Sequence, residues 1–71
     1  MSYNPVLRSE LLRKYQAYRI SVSEGKTLLG YLRQDLERLQ RENHPADAAL
    51  MGDVMTSLAA YLSALRTTEA P

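Results

Sequence analysis

One apolar stripe constrains this chain more than any other feature. Leu11, Tyr15, Tyr18, Val22, Leu29, Leu32, Leu36 and Leu39 recur at alternating three- and four-residue steps, and Gly25 fills the one gap in the series. A repeat averaging 3.5 residues sets its members on one side of a helix, the seam through which helices pack on helices. The chain therefore reads as all-α. Its 71 residues make a single helical domain, and a chain of that size buries only about 60% of the surface exposed by its unfolded form. Disulfides, a metal or a partner subunit usually compensate. With no Cys, one His and no cluster of metal ligands, association with another protein surface is the expected remedy.

Asn4 and Pro5 read as a helix start, because the Asn side chain can accept from free backbone N–H groups and proline at the first helical position sacrifices no hydrogen bond. Leu7, Leu11, Leu12, Tyr15 and Tyr18 then recur at helical spacing, with Arg8, Arg13, Lys14 and Arg19 around the remaining surface and Glu10 one turn before Lys14. Residues 20–25, Ile-Ser-Val-Ser-Glu-Gly, lower helix propensity, and Ser21 with Glu24 has the spacing of a capping box. The stripe nevertheless keeps its phase across them, which favours one continuous helix over about residues 5–43, bent near Gly25. Outer-face charges at four-residue spacing, Arg33 with Glu37, Glu37 with Arg41 and Arg38 with Glu42, support that helix. Asn43-His44-Pro45 ends it and starts another over about residues 46–65, so the expected fold is an antiparallel helical hairpin, with residues 1–4 and 66–71 as flexible tails.

The second helix has a different character. Between Ala48 and Leu65 its only charged residue is Asp53, while Leu50, Met51, Val54, Met55, Leu58, Tyr61, Leu62 and Leu65 are large and apolar. Such a helix should be buried on more than one side. Its length approaches that of a membrane span, but Gly52, Asp53, Thr56, Ser57 and Ser63 argue against spanning. At 1.5 Å per residue it reaches roughly 30 Å against roughly 58 Å for the first helix, which leaves Leu7, Leu11, Leu12, Tyr15 and Tyr18 without a partner in their own chain. A twofold homodimer would cover these residues together with Met51, Met55, Leu58 and Leu62 in a four-helix bundle. The alternative is a break at 20–25 and a monomeric three-helix bundle.

Nothing in the chain assembles into catalytic or cofactor-binding machinery. His44 stands beside a proline in a turn without a second His or any Cys, and Gly25-Lys26-Thr27 lacks the earlier glycine and preceding strand of a phosphate-binding loop. The expected function is non-enzymatic, with no cofactor or metal: a protein–protein interaction module that inhibits, sequesters or chaperones an unidentified protein target. Ile20 and Tyr31, eleven residues apart and off the main seam, align on one outer face and are the candidate target contacts. In gross shape such a hairpin is similar to small bacterial and phage regulators, such as anti-activators of transcription factors, and to secretion co-chaperones, a likeness of fold alone. The net charge of +1 argues against nucleic acid as the main partner. The competing reading is a small DNA-binding regulator using the basic first helix. An N-terminus without the basic start and apolar run of a secretion signal reads as cytoplasmic.

Overall fold

The computed structural model describes residues 3–69, which form three helices and no strand: α1 (Pro5–Gln16), α2 (Val22–Arg41) and α3 (Pro45–Glu69). Asn4 caps α1 as its chemistry dictates, its side-chain oxygen accepting from the backbone N–H groups of Val6 and Leu7 at 3.1 Å each, with Pro5 opening the helix. The long helix expected over residues 5–43 is broken at residues 17–21. At the end of α1, the Arg19 N–H donates to the Lys14 carbonyl and the Tyr18 N–H to the Tyr15 carbonyl, with Tyr18 in the left-handed region at φ 57°. This pair of bonds satisfies carbonyls that a terminating helix leaves free. Ser21 then starts α2 with a complete capping box. Its hydroxyl accepts from the Glu24 N–H, and the Glu24 carboxylate accepts from the Ser21 N–H, both at 3.1 Å.

The break prevails because it satisfies both helix ends locally and lets α1 fold back over apolar surface of its own chain. Arg8 meets Asp35 near the start of α1, while Lys14 meets Glu24 near its end, so α1 and α2 run antiparallel. Lys14 pairs across helices and not with Glu10, and of the three expected pairs on the outer side of α2 the described ion pairs include Arg38 with Glu42. The second turn repeats the device of the first: Asn43 is left-handed at φ 60°, with His44 N–H to Leu39 carbonyl and Asn43 N–H to Gln40 carbonyl bonds. Asn adopts this conformation readily. From it α3 returns antiparallel along α2, completing the expected hairpin.

The core is one cluster of Leu11, Ile20, Leu28, Tyr31, Leu32, Leu58 and Leu62, flanked by Leu7, Leu12, Tyr15, Leu29, Met51, Met55, Tyr61 and Leu65. Gly25 lets α2 and α3 approach closely, since the space of a Cβ there is occupied by the Leu62 side chain. The surfaces that called for a second copy are thus largely covered within one chain. Leu11, Leu58 and Leu62 are buried, and Leu7, Leu12, Tyr15, Met51 and Met55 pack against them; Tyr18 alone of that set is well exposed, at 78%. The stretches read as tails also differ. Tyr3 and Asn4 make defined contacts and α3 continues to Glu69, while residues 1, 2, 70 and 71 lie outside the described residues.

Candidate functional site

Two features of this bundle go beyond what its packing requires: a buried carboxylate under α1, and the outer face of α3. The carboxylate is Asp35, 4% exposed on the side of α2 that α1 covers. Its Oδ1 accepts from the Tyr3 hydroxyl at 2.8 Å and its Oδ2 from the Arg8 Nε at 2.6 Å, with Arg38 at 3.7 Å. The Tyr3 ring meets Tyr31 edge to face with centroids 5.3 Å apart. Burial, and then the hydrogen bond to Asp35, push the Tyr3 hydroxyl above its ordinary pKa of 10.0. Every oxygen of the carboxylate is engaged by groups of its own chain, which makes this a latch between α1 and α2. The sequence contains a signal for it: Asp35 continues the Leu28 and Leu32 spacing of a buried seam, and a carboxylate in such a position needs partners.

Ile20 and Tyr31 are not the outer contacts that their alignment suggests. Both lie in the core, at 4% and 5% exposure. With the helix broken between them the eleven-residue spacing no longer aligns them, and α1 with Tyr3 covers the side of α2 that would have carried Tyr31 outward. His44 is exposed in the turn, its Nε2 3.8 Å from Glu42. No group of three or more His, Cys, Asp or Glu that could hold a metal occurs among the described residues. Of the basic residues on the first helix, Arg8 and Lys14 are engaged by Asp35 and Glu24.

The outer face of α3 is the least explained surface of the molecule. This helix of 25 residues is long and apolar enough to cross a membrane by length and composition alone, yet only 11% of its most apolar 18-residue window is buried. Its inner side, Met51, Met55, Leu58, Tyr61, Leu62 and Leu65, packs on the core. At 100° per residue, Ala46, Ala49, Asp53, Ser57, Ala60 and Ala64 fall within an arc of about 80° on the opposite side, and all six are exposed. Leu50 borders them at 64% exposure, with Val54 beyond. Even the threonines present little polarity: Thr56 and Thr67 turn their hydroxyls back to the carbonyls of Gly52 and Ser63 at 3.0 and 3.1 Å. Such bonds satisfy the hydroxyl within the helix. The result is a smooth ridge on which Asp53 is the one charge between Asp47 and Arg66. No family model, curated protein or solved structure matches this chain.

Proposed function

We propose that this protein is a non-enzymatic interaction module that lays the outer face of α3 against an apolar, small-residue surface of a helical partner protein, and thereby inhibits, sequesters or chaperones that partner. One observation carries the reading: an α3 of membrane-like composition whose outer side is exposed along the helix. Small side chains at Ala46, Ala49, Ser57, Ala60 and Ala64 allow a partner backbone to come close, and Leu50 supplies an anchor at the edge. The setting is intracellular and reducing, which suits a chain without Cys. A bilayer fits the face less well than a protein, because Asp53 sits at its centre, where a partner protein can offer the carboxylate a hydrogen-bond donor and hydrocarbon cannot. A DNA-binding role for the first helix is also less well supported, since two of its three cations, Arg8 and Lys14, are held in internal ion pairs.

The test compares native wild-type protein with Ala60→Arg, which adds bulk and charge to the face without touching the core. Wild-type protein immobilised on resin should retain a protein from extract that the variant retains about thirtyfold more weakly, the effect of losing about 2 kcal/mol at an interface. Helicity and melting temperature should match. Equal retention by the two proteins would overturn the reading, as would binding of wild-type protein to neutral or anionic lipid vesicles or to duplex DNA at moderate salt.

A further inference from the structure

Granted the docking role of the outer face of α3, on which this step rests, we propose that the face takes a second copy of this chain: two α3 helices pack antiparallel about a twofold axis level with Met55. The face is self-complementary about that residue. Ala46 and Ala64 lie nine residues before and after it, Asp53 and Ser57 two before and after it, and Ala49 and Leu50 are matched within one residue by Ala60 and Tyr61. A twofold axis between antiparallel helices brings positions equally far before and after it to the same level, so each of these residues meets its match on the other copy.

The side chains fit as well as the spacing. The axis is perpendicular to both helices, so a residue on one flank of the ridge stays on that flank of the dimer. At 100° per residue Leu50 and Tyr61 share one flank, Ala49 and Ala60 share the other, and Asp53 and Ser57 lie near the middle. Leu50, 64% exposed, thus reaches Tyr61 of the second copy, whose ring already carries the 78% exposed Tyr18 at a centroid distance of 6.1 Å. An exposed leucine seated on an aromatic pair makes an anchor, and symmetry supplies it twice. In the middle, each Asp53 carboxylate comes level with Ser57 of the other copy. Thr56, Thr67 and Thr68 spend their hydroxyls on carbonyls of their own helix. No such bond is described for Ser57, whose hydroxyl donates to the carboxylate across the axis and gives the one charge of the ridge a partner. The contact is one helix wide and about 27 Å long from Ala46 to Ala64, less than the ~800 Å² per partner of a stable interface. The dimer is therefore transient, dissociating at roughly 0.1 mM, and while it lasts it excludes any other helix from the face.

The chain has no Cys, so introduced thiols report the register without interference. Ala46→Cys and Ala64→Cys, both at exposed alanines, are mixed in equal amounts at high concentration in a glutathione redox buffer. Same-site thiols stand about 27 Å apart along the dimer, whereas a disulfide needs Cα atoms within about 7 Å. The disulfide between the two different sites should exceed either same-site product at least about tenfold. Same-site products in excess, or all three in the statistical ratio, would overturn the proposal. Sedimentation equilibrium of wild-type protein from about 10 µM to about 1 mM should pass from one-chain to two-chain mass. Leu50→Gln, whose loss counts twice in the dimer, should weaken the association at least about thirtyfold. Unchanged association of that variant would put the dimer on another face and overturn the proposal. One-chain mass at every concentration would overturn it too, while the docking role of α3 stands if Ala60→Arg still loses a protein that wild type retains from extract. Equal retention by Ala60→Arg would strike the docking role itself.

Discussion

At the scale of single residues, the tightest constraint is where α2 meets α3. A methyl group at Gly25 would overlap Cγ and both Cδ atoms of Leu62, a buried side chain with little freedom to turn away. Alanine is a better helix former than glycine by about 1 kcal/mol, but overpacking a core costs about 1–3 kcal/mol. Gly25→Ala should therefore lower stability by about 1 kcal/mol, or roughly 4–8 °C in melting temperature for a domain of this size. Adding Leu62→Ala should leave the double variant no less stable than Leu62→Ala alone, and a rise in melting temperature for Gly25→Ala would refute the overlap. Glu24 gives a pH dependence of known sign. Its carboxyl is held below the ordinary 4.5, first by the bond from Lys14 and then by the Ser21 N–H, so the folded state prefers the ionised form. That contribution is present above the unfolded value and disappears as pH falls through the lower folded one. The stability advantage of wild type over Glu24→Gln, followed by circular dichroism, should thus be full near neutrality and shrink below pH 4.5.

At the scale of elements, α2 and α3 are legible in the sequence and the break before α2 is not. Asn4-Pro5, Asn43-His44-Pro45 and the leucines of residues 28–39 each state one local preference, and the structure follows them. Residues 17–21 carry two preferences in conflict. The capping box at Ser21 favours a new helix, while the stripe through Tyr18 and Val22 favours continuation, and the choice depends on tertiary burial of Ile20 and on the Asp35 latch, neither of which a periodicity contains. For the same reason Ile20 and Tyr31 could not be told from surface residues: their exposure is decided by where α1 goes. α1 is the shortest helix, and Leu11 is its one buried residue, which makes it the element most easily released despite the latch. Its Leu11 and Leu12 amides should exchange with solvent through a partial opening, with protection about tenfold lower than that of Leu28 and Leu32 in α2. Asp35→Asn, which keeps the shape but loses the ionic bond to Arg8, should widen the gap and cost about 1–2 kcal/mol. Uniform protection across α1 and α2 would instead show a bundle that opens as one unit.

At the scale of the whole molecule, the described residues measure 44 × 22 × 21 Å, a rod whose apolar content is unevenly used. The seven buried apolar residues face inward from α1, the linker, α2 and α3, whereas Leu50 at 64% and Val54 at 37% exposure look out from α3. This asymmetry separates two kinds of substitution that composition alone would treat alike. Leu58→Ala empties a fully buried position and should cost about 2–5 kcal/mol, enough to leave so small a domain largely unfolded. Leu50→Gln with Val54→Gln removes about as much apolar surface, but from positions that solvent already reaches, and should change stability by no more than about 0.5 kcal/mol each. Thermal melts at low micromolar concentration would read the difference directly. A double variant that melts with wild type would leave the ridge of α3 free for a partner, and one that collapses like Leu58→Ala would mean that in solution the ridge is already covered, with another copy of the chain the available cover.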